Sequence, residues 1–118
     1  MTGEELLQAL TQPHAEALFA AAREIRQRTK GNRVYLRGLI ELASICDRDC
    51  LYCGMRHSNA QAHRYALNDE TILACAKLAQ KQRFGTVVLQ AGECASLWTR
   101  ERVCELIRRI KGETGQKI

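Results

Sequence analysis

Long apolar runs are missing from this sequence of 118 residues, and none approaches the roughly 20 residues a bilayer-spanning helix requires. No membrane association is therefore expected. The opening Met1-Thr2-Gly3-Glu4-Glu5 is acidic and lacks the basic-then-apolar pattern of a secretory signal. That absence points to a reducing cytosol, where thiols bind metals rather than pair as disulfides. Aromatic residues are scarce at 5%, although the net charge is +5 and Arg23, Arg26, Arg28, Lys30 and Arg33 cluster. Without interleaved stacking rings this cluster reads as a solvated helix face near the negative end of a helix dipole, and no nucleic-acid partner is expected.

What the chain does have is an ordinary hydrophobic fraction of 46%, enough for one small domain with a modest core, and six cysteines. Three of these fall in Cys46-Asp47-Arg48-Asp49-Cys50-Leu51-Tyr52-Cys53-Gly54, spaced C-x3-C-x2-C. A turn of that length can aim three sulfurs at one point. Thiolates are soft ligands, so zinc and iron–sulfur clusters are the candidates. A closed zinc site needs a fourth ligand, which His57 or His63 could supply. A 4Fe–4S cluster on three cysteines leaves one iron open to a small molecule. Unliganded or disulfide-bonded cysteines are the remaining reading.

The pattern around this stretch alternates helix and strand. Thr2 and Glu5 fit a capping box opening a short helix to about Leu10, with Leu6, Leu7 and Leu10 on it. Pro13 suits the first turn of a second helix, whose Ala15, Leu18, Phe19, Ala22 and Ile25 recur at helical spacing. Gly31 can end it in a left-handed conformation. Residues 1–33 thus form a helical segment and 34–118 a second region. There, Val34 to Ala43 is an apolar, partly β-branched series broken at Gly38, and the part after Gly38 predicts a buried strand leading into the cysteines. Residues 55–65 read as a loop.

Asn68 caps a helix with Ile72, Cys75, Ala76 and Ala79 inward and Leu78 alongside. Gly85 turns the chain into Thr86–Gln90, a run typical of a strand buried on both faces. Thr99 caps a last helix with Val103, Leu106, Ile107 and Ile110 inward, and residues 112–115 make a turn. Cys75 and Cys104 read as small buried hydrophobes, and His14, His57 and His63 as loop or surface residues. Alternating β and α elements imply a parallel sheet, with sites at the carboxyl ends of its strands. The cysteines follow the first strand and Ala91-Gly92-Glu93 follows the second.

The cysteine spacing, with an aromatic before the third cysteine and glycine after it, resembles the radical S-adenosylmethionine (SAM) superfamily. Arg37-Gly38-Leu39-Ile40-Glu41, Tyr52-Cys53-Gly54-Met55-Arg56, Arg64-Tyr65 and Leu89-Gln90-Ala91-Gly92-Glu93 narrow the resemblance to its biotin-synthase-like branch. Within it they are most similar to the HydE family of FeFe-hydrogenase maturases, with methylornithine and biotin synthases as alternatives. The resemblance implies an α/β fold, the N-terminal part of a TIM-type (β/α)8 barrel, with two βα units preceded by helices. It implies a 4Fe–4S cluster on Cys46, Cys50 and Cys53, and SAM chelated to the open iron and cleaved by one electron to a 5′-deoxyadenosyl radical. Tyr52 occupies the position whose backbone meets the SAM adenine, and Gly92 and Glu93 the position that hydrogen-bonds its amino group. Gln90 is expected to point into the barrel, and Arg56 and Arg64 are either plain surface arginines, the commoner case, or partners of a carboxylate of SAM or substrate.

The implied role is in hydrogenase cofactor assembly, on a small-molecule or organometallic substrate with an electron donor such as ferredoxin or flavodoxin. The chain departs from the pattern at Ala43-Ser44, Ala91 and Cys94, where serine–asparagine, serine and an acidic residue are usual. Two strands cannot close a barrel, so a fragment or half of a split protein is expected. Its second strand would be an open apolar edge, and the missing C-terminal part of the barrel would be its partner. A non-catalytic zinc or iron–sulfur module is the reading of another class.

Overall fold

A computed structural model describes residues 2–13 and 15–118. The surface position expected of His14 lies outside the described residues. In chain order the elements are α1 (Gly3–Thr11), α2 (Glu16–Lys30), β1 (Arg37–Ala43), α3 (Asp69–Lys81), β2 (Thr86–Ala91) and α4 (Arg100–Thr114). They fall into two compact units, Met1–Val34 and Tyr35–Ile118.

In the first unit the capping box forms. Thr2 N–H donates to Glu5 Oε2 at 2.7 Å, and Glu5 N–H donates to Thr2 Oγ1 at 3.2 Å. Pro13 ends α1 rather than opening α2. The residue before a proline is pushed out of the helical region, and Gln12 caps α1 with extended angles (φ −67°, ψ 137°). Helix α2 starts only after Ala15. Gly31 has the positive φ expected of it (70°), but its ψ of −166° is extended rather than left-handed helical. No residue of either helix is buried, so the apolar stripe through Leu6, Leu10, Phe19 and Ile25 is uncovered within this unit.

The second unit is α/β. β1 and β2 pair in parallel from Arg37↔Thr86 to Glu41↔Gln90, and after an irregularity at Leu42 the pairing resumes at Ala43↔Ala91. Helices α3 and α4 cover one face. There Ile40, Leu42 and Val87 meet Ile72, Leu73, Ala76 and Ala79 of α3 and Leu106 and Ile110 of α4. Each helix is started by a side-chain cap, Asn68 accepting from Thr71 N–H and Thr99 from Arg102 N–H.

Several expectations change here. Gly38 lies inside β1 rather than breaking it. A Cβ there would sit 2.9 Å from Ala79 Cβ, so glycine lets α3 approach the strand. The inner face of α3 uses Leu73, while Leu78 is exposed and Cys75 only half-buried. Cys104 is exposed, because its side of α4 points away from the sheet. Gly112 belongs to α4, which runs on to a left-handed cap at Gly115. β2 is not buried on both faces: Val87 is fully buried but Val88 is 39% exposed, since the helices cover one side only.

Beyond α4, Val87 N–H donates to Lys117 O at 2.8 Å and Lys117 N–H to Gly85 O at 3.1 Å. This short parallel bridge flanks the start of β2. Among the described residues no further strand pairs with it, and the sheet stays two-stranded and open. Among the described residues no helix is long and apolar enough to cross a membrane.

Candidate functional site

The carboxyl ends of β1 and β2 are stitched together past the strands themselves. Gly92 N–H donates to Ala43 O at 3.1 Å, and Asp47 N–H donates to Glu93 O at 2.7 Å. Between these bonds Gly92 is buried against the chain leaving β1. A Cβ there would lie 2.2 Å from Ile45 O and 2.8 Å from Cys46 Cβ. Glycine is needed at this position so that the turn after β2 can seat directly under Cys46.

From Cys46 the loop folds into two arms, residues 46–54 carrying the thiols and residues 55–65 running back. The arms are cross-braced. His57 N–H donates to Arg48 O at 2.8 Å, Ser58 N–H to Asp49 Oδ1 at 2.9 Å, and Asn59 Nδ2 to Gly54 O at 2.8 Å. Arg56 donates to Cys53 O through both its amide (3.3 Å) and Nη1 (3.2 Å). The hydrogen bonds from Ser58 hold the Asp49 carboxyl below the usual aspartate range. On the return, Ser44 and Tyr65 exchange backbone and side-chain bonds, and Ala66 bridges Ala43. Lost hydration pushes the Tyr65 hydroxyl up, and its bond to Glu41 adds to the shift.

All three motif thiols are free, Cys50 exposed and Cys46 and Cys53 half-buried. The Arg48 amide points at Cys46 Sγ, 3.4 Å away. Among the described residues no three His, Cys, Asp or Glu side chains are gathered where one metal ion could sit. The expectation that the turn aims three sulfurs at one point is therefore not met. A zinc ion needs such convergence on a single centre. In a four-iron cluster each thiolate binds a different iron, so the sulfurs surround a larger group. Three soft donors on one accessible loop fit that group by their chemistry. His57 and His63 are exposed.

Glu93 projects from the seat under Cys46. Its carboxylate takes a hydrogen bond from Arg48 Nη2 at 2.5 Å, and this bond first, then the cationic charge, holds the carboxyl below the usual glutamate range. The same contact raises Arg48. Both side chains remain about two-thirds exposed, so the pair is open to exchange. Tyr52 is 93% exposed and is not a packed loop aromatic. Gln90 stands on the sheet face away from the helices, beside Glu41 in register. Cys94 is buried in the turn after Glu93, 3.3 Å from Ser96 Oγ.

Among the described residues neither arginine meets a carboxylate in this structure, and the Arg64 terminal nitrogens are fully engaged. Arg56 reaches Cys53 O, and the Arg64 guanidinium is spent on five loop carbonyls. Pattern reading named Arg64 and Ser44 but not their part here, which is to bond the backbone of the loop. A loop arginine carries no local signal for the carbonyls that will surround it.

No protein-family model matches the chain. It is 38% identical over 96 residues to the [FeFe] hydrogenase maturase subunit HydE of Thermotoga maritima, covering 81% of this chain and 27% of that protein. It is 30% identical over 114 residues to 3-methylornithine synthase of Methanosarcina acetivorans, covering 96% and 32%. Biotin synthases also match. The crystal structure of methylornithine synthase (PylB) superposes with a TM-score of 0.82 at 29% identity, over 98% of this chain and 35% of that one. The chain thus spans about a third or less of the length of these relatives. These homologues are all radical-SAM superfamily members, and the share of their length that the chain covers fits an N-terminal portion of the biotin-synthase-like branch.

Proposed function

We propose that this chain is the cluster-bearing part of a radical-SAM enzyme of FeFe-hydrogenase maturation. Cys46, Cys50 and Cys53 would hold a 4Fe–4S cluster. When bound, the cluster supplies the electron that cleaves SAM to methionine and a 5′-deoxyadenosyl radical. The chain's own residues bind and orient. The Glu93 carboxylate would accept from the SAM ammonium, a charge-assisted bond that would replace its contact with Arg48. Gly92 keeps the turn that carries Glu93 seated against Cys46, and the backbone at the exposed Tyr52 would meet the adenine. The observation that supports this reading is the junction of the two strand ends, where Asp47 N–H on Glu93 O and the Gly92 seat hold the carboxylate turn against the thiol loop.

The bare sheet face, with Leu39 and Val88 exposed, would be closed by further parallel βα units, in the same chain or another. The assembled protein would work in the cytosol on a small-molecule or organometallic substrate, with ferredoxin or flavodoxin as electron donor. The identity to the HydE protein favours maturation. The superposition on methylornithine synthase favours a second reading, in which the same machinery serves a methylornithine or biotin synthase-like reaction.

Anaerobic reconstitution followed by electron paramagnetic resonance (EPR) tests the cluster. The expected result is iron and sulfide in the ratio of one 4Fe–4S cluster, a reduced signal that shifts on adding SAM, and loss of both when all three motif cysteines become alanine. Stoichiometric zinc without iron uptake would instead identify a non-catalytic metal-binding module. Rescue of hydrogenase maturation in a HydE-deficient strain, by a full-length version, separates the two substrate readings.

A further inference from the structure

We infer that Arg64 is the positioning residue of the thiol loop, acting through backbone carbonyls and touching neither cluster nor SAM. This inference rests on the reading of that loop as the cluster site.

An irregular loop leaves its carbonyls without ladder partners, and buried ones must find donors. Here one half-buried guanidinium supplies them. Nη1 donates to Ser44 O and Met55 O, both at 2.7 Å. Nη2 donates to Arg56 O at 2.7 Å, Asn59 O at 3.2 Å and His57 O at 3.4 Å. The two terminal nitrogens carry four hydrogens in a fixed fork, so five acceptors saturate them. A substrate carboxylate could take the fork only by displacing the loop.

Three of the five carbonyls Arg64 holds belong to residues that hold the thiol arm. Arg56 supports Cys53 O, His57 supports Arg48 O, and Asn59 supports Gly54 O. Ser44 closes the circuit at the other end. Its carbonyl takes Arg64 Nη1, its hydroxyl donates to His63 O at 2.6 Å and accepts from Tyr65 N–H at 3.0 Å. Cys46 is only two residues further on, and Arg64 lines a hollow with Ile45, Cys46, Asp47 and His57. One side chain thus ties the end of β1, the return arm and, through it, the thiol arm into one piece. Lysine offers three donors on a single nitrogen and cannot span these acceptors.

The test compares the full chain with Arg64→Gln, Arg64→Lys and a Cys46→Ala control. Hydrogen exchange of the apo chains, iron and sulfide after reconstitution, and the EPR signal with and without SAM are read. Arg64→Gln is expected to lose about tenfold or more in amide protection at His57 to Asn59 while the α3 and α4 amides keep theirs. Its iron content should fall several-fold. Arg64→Lys should retain iron but give a broadened, mixed EPR signal with a weakened SAM response. Unchanged loop protection and iron in Arg64→Gln would overturn the inference. So would protection lost equally in α3 and α4, which would make Arg64 a general folding residue. If the unsubstituted chain takes up no iron, the cluster reading fails, and the exchange data still decide whether Arg64 holds the loop.

Discussion

The two faces of the β1–β2 sheet carry matching aliphatic side chains at their centres and meet opposite surroundings. Ile40 and Val87 are 5% and 0% exposed under α3 and α4, while their neighbours Leu39 and Val88 are 61% and 39% exposed. Side-chain chemistry does not distinguish Leu39 from Ile40 or Val87 from Val88. Period-two alternation sends them to opposite sides, and only one side has helices on it. The covered face therefore carries the stability of this unit. The bare face is surface of the kind that a closed barrel would fill with inward-pointing side chains. The candidate site lies on neither face but on the rim where both strands end.

This contrast can be broken or sharpened by substitution. The largest effect is expected at Ile72, which is fully buried on the covered face. Ile72→Ala should cost about 2–5 kcal/mol in urea denaturation, from lost burial and the cavity left behind. Gly38→Ala comes next, at about 1–3 kcal/mol, because the new methyl meets rigid Ala79 Cβ and α3 must shift. On the bare face Val88→Thr should change stability by no more than about 0.5 kcal/mol. A cost there as large as at Ile72 would mean that the face is covered in solution.

The smallest effect belongs to the rim. Glu93 is held below the usual glutamate range by Arg48, so its contribution is present above that range and lost as pH falls through the lowered value. Acid titration should therefore loosen the Arg48–Glu93 contact only below the ordinary carboxylate range. The change should vanish in Arg48→Ala and shrink with salt, since both groups are exposed.

Much of this arrangement was legible in residue pattern. The caps at Thr2, Asn68 and Thr99, the order of helices and strands, and the two suspicious stretches at strand ends all follow from local chemistry. Gly92 stood out only through its place beside Glu93, and the close approach it permits is to Ile45 and Cys46 of its own chain. Gly38 was misread as a break because sequence does not show that a helix presses on it. Leu73 joins the inner face of α3 and Cys75 packs only at its margin, because the lie of the helix on the sheet selects which side chains turn in. Arg64 was read as a possible carboxylate ligand, and the return of residues 55–65 against β1 consumed its donors instead.

Residue order and spacing alone decided which chemistry is available here: three soft thiols within one turn, a carboxylate behind a glycine, and alternating elements that must lie parallel. Such properties are local, because they depend on neighbours a few positions apart. Tertiary structure decided what each group faces. It set the carboxylate turn beneath Cys46, gave Arg48 to Glu93, surrounded one arginine with five carbonyls, and left one sheet face bare. Those outcomes depend on segments far apart in the chain meeting in space, as Ser44 meets Arg64 and Arg48 meets Glu93, and no local pattern records such meetings.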